Sequence, residues 1–260
     1  MIKIRKMKLE KLAIAVDNAA LNANPIKQLS KGNKFSEKEA YTIQAISLLQ
    51  RYARGEKLIG LKMGFTSKAK MEQMGVHDLI WGRLTDKMLI ENGGSMKISQ
   101  FIHPRAEPEL CFWIKKDIKG EITLKDAPKY VEAVSAAVEI IDSRYQNFKF
   151  SLEDVIADNC SSSAFVFGDW YRPNFDITNL KIELTVNKKV VHEGSSSAIL
   201  DNPWESFVAA ARLAVKYKEP IKKGMYLMLG AATPAVFLKK GDKVAANVEG
   251  MGSASLKVKA

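Results

Sequence analysis

Pro104-Arg105-Ala106-Glu107-Pro108-Glu109-Leu110-Cys111-Phe112 puts two glutamates two residues apart at the head of an apolar run. Side chains alternate along a strand, so Glu107 and Glu109 share one face while Pro108 and Leu110 take the other. Two carboxylates side by side repel, and ionising both without a cation is unfavourable. Pro108 has no N–H for a ladder, which predicts a strand that starts at a sheet edge or a barrel mouth. Further on, Val134-Ser135-Ala136-Ala137-Val138-Glu139-Ile140-Ile141 is almost wholly apolar, the pattern of a strand buried on both faces. A glutamate inside such a run needs a partner. Each feature has a plain reading: the first pair as a solvated strand face, Glu139 as the partner of a lysine or arginine. Taken together, and with Lys62 standing alone in the apolar strand Leu58 to Phe65, they favour one metal ion on Glu107, Glu109 and Glu139.

Working outward, Leu9, Leu12, Ala13, Val16, Ala19 and Ala20 recur at helical spacing and predict a helix over 5–23, stopped by Asn24-Pro25. Ser36-Glu37-Lys38-Glu39 is a capping box and predicts a second helix running to Gly55. Residues 1–56 thus read as a helical cap or arm, and 57–260 as the catalytic part. A short helix is expected over 67–74 and irregular chain from there to Asn92-Gly93-Gly94, which makes 66–92 a lid candidate. The remaining strands expected are 95–99, 107–115, 134–141, 181–186, 190–193, 226–229, 244–248 and 255–258. Ser151-Leu152-Glu153-Asp154 opens one helix between them, and Asp201 to Glu205, with Pro203 in its first turn, opens another ending near Lys218. Strands dominate with helices interspersed, so the class is α+β.

Composition narrows the function classes. No apolar run approaches the roughly 18–20 residues of a membrane span, and the basic, amphipathic start does not resemble a signal peptide; a cytoplasmic protein is expected. Cys111 and Cys160 lack any CxxC spacing, and there are three histidines, so a metal here should be held by oxygen and be a hard cation. The net charge of +11 is spread along the chain rather than clustered, which favours solubility and attraction of anionic substrates over nucleic-acid binding. Asp158-Asn159-Cys160-Ser161-Ser162-Ser163 is either an ordinary polar turn or a carboxylate-binding segment, with Asn159, Ser161 and Ser162 as candidates. Cys160 has no histidine near it in sequence and is not expected to be a nucleophile.

The order of several motifs is similar to that of the hydratase and decarboxylase branch of the fumarylacetoacetate hydrolase superfamily. These are Gly60-Leu61-Lys62-Met63-Gly64-Phe65-Thr66-Ser67, Met74-Gly75-Val76, Trp81-Gly82-Arg83-Leu84-Thr85-Asp86, Pro104 to Glu109, the Glu139 strand, Asp158 to Ser163, Gly230-Ala231-Ala232-Thr233-Pro234, and Lys240-Gly241-Asp242 with Val248 to Gly252. The resemblance spans nearly the whole chain. It implies a mixed β-sheet roll with a helical N-terminal part, Mg2+ or Mn2+ on Glu107, Glu109 and Glu139, and a functional Lys62. It also implies Thr233 among the substrate-binding candidates, a homo-oligomer, and a complex with a 2-oxopent-4-enoate hydratase. Hydratases of this branch resemble one another in a carboxylate two residues before the glycine matching Gly82; here that position is Ile80. An apolar side chain cannot handle protons but suits a site that excludes water. The activity implied is therefore loss of carbon dioxide from 2-oxo-3-hexenedioate (4-oxalocrotonate), in meta-cleavage degradation of aromatic compounds. Hydration of 2-hydroxypenta-2,4-dienoate is the alternative, kept open by the nearby Asp78. Arg105 and Arg83 are candidates for recognising substrate charge.

Overall fold

The computed structural model describes residues 2–67, 71 and 78–260. Helices α1 (Ile2–Leu21) and α2 (Glu37–Ala53) open the chain. The capping box forms as its sequence requires: Ser36 Oγ accepts from the Glu39 N–H, and the Glu39 carboxylate accepts from the Ser36 N–H at 2.9 Å. The two helices pack on each other, and Leu9, Ala13, Val16 and Ile43 join the same hydrophobic cluster as the sheet residues. Buried Gln44 of α2 donates to the carbonyls of Trp81 and Ile156. The helical part thus shares its core with the rest.

The strands are β1 (Leu58–Gly64), β2 (Ile80–Thr85), β3 (Ser95–Lys97), β4 (Arg105–Ile114), β5 (Val131–Ile141), β6 (Ser162–Phe167), β7 (Lys181–Val186), β8 (Lys189–Ser195), β9 (Tyr226–Ala231), β10 (Val236–Phe237), β11 (Lys243–Val248) and β12 (Gly252–Lys259). Helices α3 (Leu152–Ala157) and α4 (Pro203–Tyr217) lie among them. A seven-stranded sheet has the order β2-β1-β9-β4-β5-β6, with β10 added on β4. A five-stranded sheet has the order β3-β12-β11-β7-β8. β1–β9 and β3–β12 are parallel pairs and the other pairings are antiparallel, so both sheets are mixed, in an α+β fold.

The sheets pack through β4 and β5 against β7, β11 and β12. Alternation sends Leu110, Phe112, Val138 and Ile140 into that interior, with Leu184, Val244 and Leu256 from the other sheet. The opposite face of the large sheet carries a smaller apolar cluster of Leu84, Met88, Cys111, Ala137, Phe165 and Met228. Glu107, Glu109 and Glu139 lie on this second face.

Three expectations change. β4 is an interior strand, paired with β5 on one side and with β9 and β10 on the other, so Pro108 marks neither an edge nor a mouth. In a strand the N and C=O of one residue point to the same neighbour, and the Pro108 carbonyl accepts from Ala232 N–H just past the end of β9. The missing N–H therefore falls in the gap between the β9 and β10 ladders, where no ladder bond needs it. The stretch 80–85, read as irregular, is β2, and Ser162-Ser163, read as polar turn, begins β6. Residues 68–70 and 72–74 of the helix expected over 67–74, and with them part of the candidate lid, lie outside the described residues.

Candidate metal centre

Register brings the carboxylates together. Glu107 and Glu139 are directly opposite each other on β4 and β5, and Glu109 follows one pair along on the same face. Each of the three offers an oxygen, and these oxygens lie within 4.8 Å of one another. Lys62 arrives from β1, two strands away: it is in register with Met228 of β9, which pairs in turn with Cys111 of β4. Its Nζ lies 2.8 Å from Glu139 Oε2 and 3.4 Å from the Cys160 carbonyl.

The electrostatics of this cluster favour a cation. Glu109 and Glu139 are completely buried. Burial, then the Glu139 charge, pushes the Glu109 carboxyl well above the ordinary range, and burial raises Glu139 as well. Burial opposes the Lys62 ammonium, yet the charges of Glu139 and Glu109 outweigh it and hold its pKa above the usual lysine value. Glu109 Oε1 and Glu139 Oε1 have no hydrogen-bond partner among the described residues. Glu139 Oε2 has Lys62 beside it as a charge contact without good hydrogen-bond alignment. Glu109 Oε2 is held by the Gly230 N–H at 2.8 Å. Gly230 has φ +111°, and a Cβ there would meet Thr66 Oγ1 at 1.9 Å, so this position requires glycine. Converging all-oxygen donors of negative charge fit a hard divalent cation and leave no place for a thiolate or imidazole metal.

A cavity of about 340 Å³ opens on the cluster. Lys62, Glu107, Arg105, Ile80 and Ser161 line it, together with apolar Ile141, Phe148, Phe150 and Val155. Of the residues expected at the site, these first five meet at one wall system. Ser161 is presented by a turn in which Asn159, Cys160 and Ser161 all have positive φ, and its Oγ has no hydrogen-bond partner among the described residues. The buried Ser162 hydroxyl faces Glu139 rather than the cavity.

Others are placed elsewhere. Asn159 spends its amide on the Arg83 backbone, accepting from its N–H at 2.7 Å and donating to its C=O at 2.9 Å. Thr233 donates to the Pro234 carbonyl and is not on the cavity wall. Arg83 is consumed by Glu219 and by Gln44. Asp78 is paired with Arg212 at 2.6 Å, with Lys216 at 3.7 Å, and does not line the cavity. Cys160 donates to the Trp81 carbonyl, and burial pushes its thiol up to about 12, so a thiolate nucleophile is absent there. A larger groove of about 770 Å³ between α2 and α4 contains no clustered carboxylates among the described residues; the chemistry lies in the smaller hollow.

Sequence reasoning missed Phe148, Phe150 and Phe237. Phe148 sits in a turn with φ +56°, and its ring lies 3.9 Å from the Arg105 guanidinium, with Phe237 at 4.0 Å on the same group. Nothing in the local pattern of these aromatics distinguishes a cavity wall from ordinary core.

Residues 82–259 match the family model described as fumarylacetoacetate (FAA) hydrolase C-terminal. The chain is 47% identical over 249 residues to a 4-oxalocrotonate decarboxylase of Pseudomonas sp, covering 96% of this chain and 97% of that one. It is 34% identical over 223 residues to a 2-hydroxyhexa-2,4-dienoate hydratase of Comamonas testosteroni, covering 84% of each. A solved structure of 4-oxalocrotonate decarboxylase from Pseudomonas putida G7, complexed with magnesium and adipate, superposes with a TM-score of 0.94 at 35% identity, covering 97% of this chain and 98% of that one.

Proposed function

Because the chain belongs to the fumarylacetoacetate hydrolase family, we propose that it is a metal-dependent carboxy-lyase, a 4-oxalocrotonate decarboxylase. It converts 2-oxo-3-hexenedioate to 2-hydroxypenta-2,4-dienoate (2-oxopent-4-enoate) and carbon dioxide, in meta-cleavage degradation of aromatic compounds. The observation that carries this reading is the buried Glu107–Glu109–Glu139 cluster with Lys62, opening onto a cavity whose wall at position 80 is isoleucine. The strong likeness to a decarboxylase over the full chain, against a weaker one to hydratases, supports the same choice.

Glu107, Glu109 and Glu139 would hold a magnesium or manganese ion. When bound, such an ion supplies Lewis-acid polarisation of a ketone oxygen. Lys62 places a positive charge beside Glu139, at the end of the cavity where the electrons released by decarboxylation accumulate. Its ammonium is also within the cavity wall, placed to give a proton to the product. The Ser161 hydroxyl is free to bind a substrate oxygen. Ile80, Ile141 and Val155 keep water from the chemistry, and Asp78, the carboxylate two residues before Ile80, is tied to Arg212 rather than set on the cavity wall.

The reaction product is the substrate of a hydratase, which supports a complex with a 2-oxopent-4-enoate hydratase; a homo-oligomer and a cytoplasmic location complete the proposal. Among the described residues no helix is long and apolar enough to cross a membrane. The deciding experiment is a paired assay with and without magnesium. Carbon dioxide release from 2-oxo-3-hexenedioate is expected; hydration of 2-hydroxypenta-2,4-dienoate in its place would assign the chain to the sister activity.

A further inference from the structure

Three arginines approach the interior near the site, and they differ in what fills their donors. Arg83 is occupied by Glu219 and Gln44. Arg144 is occupied by Asp158, the Asp142 carbonyl and Ser163. Arg105 is held differently. Its guanidinium lies between two aromatic faces, 3.9 Å from the Phe148 centroid and 4.0 Å from the Phe237 centroid, and its Nε has no hydrogen-bond partner among the described residues. Aromatic rings on both faces remove water from above and below the plane, leaving the in-plane N–H edge for a ligand. Arg105 and Phe148 both line the cavity.

Register sets the distance. Arg105 precedes Glu107 by two residues on β4, so both project from the same face, roughly 7 Å apart along the strand. Arg105 faces Ile141 across the β4–β5 ladder where Glu107 faces Glu139. The cavity is therefore polarised: Lys62 and the carboxylates at one end, a caged guanidinium at the other. An extended six-carbon chain has five carbon–carbon bonds of about 1.5 Å and reaches across a gap of that order.

We propose that Arg105, clamped by Phe148 and Phe237, grips the substrate carboxylate remote from the metal end and thereby selects dicarboxylates. This rests on the proposed function and names the specificity determinant within that site. The gripped carboxylate is the one that departs as neutral carbon dioxide, so the ion pair is strongest before the bond breaks. Interactions stronger in the ground state than in the transition state lower KM without raising kcat. Removing Arg105 should therefore raise KM and spare kcat, a split that general loss of structure does not produce.

The test uses purified, magnesium-loaded protein. Steady-state turnover of 2-oxo-3-hexenedioate is measured for wild type and Arg105→Met, and binding of hexanedioate and hexanoate is measured by calorimetry. The expected result is a KM raised on the order of 10- to 100-fold in the variant, kcat not reduced, and loss of the wild-type preference for the diacid. An unchanged KM, or an undiminished diacid preference, overturns the proposal. Should Arg105→Met lack a cooperative melt, Phe237→Ala removes one exposed ring of the clamp and is read the same way: weakened diacid preference supports the proposal, and an unaltered preference overturns it. A wild type that binds the diacid preferentially but releases no carbon dioxide would sink the proposed reaction while leaving the role of Arg105 standing.

Discussion

Glu139 shows why a single side chain can carry so much of the chemistry. It is fully buried, opposite Glu107, with the Lys62 ammonium in contact. A buried carboxylate is tolerated only with compensating charge, and here compensation is shared between Lys62 and the cation that the oxygen cluster fits. Glu107→Gln or Glu139→Gln should therefore abolish metal-dependent turnover while leaving a folded protein, checked by steady-state assay beside circular dichroism; full activity in either variant would remove that glutamate from the centre. Lys62→Ala should lower kcat by roughly 10²- to 10⁴-fold, the usual worth of positioned acid–base catalysis, measured under saturating substrate and magnesium. The residues around them were unequally legible. Alternation alone put Glu107 and Glu109 on one face, and the apolar run alone made Glu139 conspicuous. That Asn159 serves the Arg83 backbone, while Ser161 two residues later faces the cavity, depends on a left-handed turn that no local pattern announces.

At the level of elements, caps and close approaches set what can vary. The α2 capping box is reinforced by Arg5, which donates to both Glu39 oxygens. The Arg5 side chain and the Ser36 N–H hold the Glu39 carboxyl down to about 2, well below its ordinary value near 4.5. A depressed folded-state pKa contributes stability that is present above the unfolded value and is lost as pH falls toward the folded one. Glu39→Gln should thus lower the urea midpoint at pH 7, and the gap to wild type should close by about pH 2; an equal gap at both ends would mean that the ionised form plays no part. β2 makes a second case. A Cβ at Gly82 would lie 2.6 Å from the Asn159 carbonyl oxygen, so Gly82→Ala must push β2 away from the turn that presents Ser161. A loss of about 1–3 kcal/mol is expected, read from thermal melts, with reduced turnover. β2 escaped the sequence reading because it is buried on both faces and contains Arg83, whose burial is explained only by Gln44 on α2 and Glu219 beyond α4.

Across the whole molecule, two mixed sheets pack one face of β4 and β5 into the core and leave the other face to a small apolar floor, the carboxylates and the cavity. A ligand that binds the folded state and not the unfolded one stabilises it by mass action. Adding magnesium to chelator-stripped protein should raise its melting temperature, by about 2.7 kcal/mol of stability at a hundredfold excess over Kd, and Glu139→Gln should lose most of that rise. An identical shift in the variant would place the ion somewhere else. Because strand and helix periodicities, caps and turn residues are short-range properties, the sequence by itself determined most elements, the α+β class and the shared face of Glu107 and Glu109. The resemblance in motif order added the chemistry expected of them. Only the tertiary structure decided that Pro108 lies in an interior strand, that Asp78 is tied to Arg212 away from the cavity, and that Arg105 is caged by Phe148 and Phe237. Those facts depend on which distant segments become neighbours, and strand order across β1, β9, β4 and β5 is set by packing of the whole chain rather than by any window of residues within it.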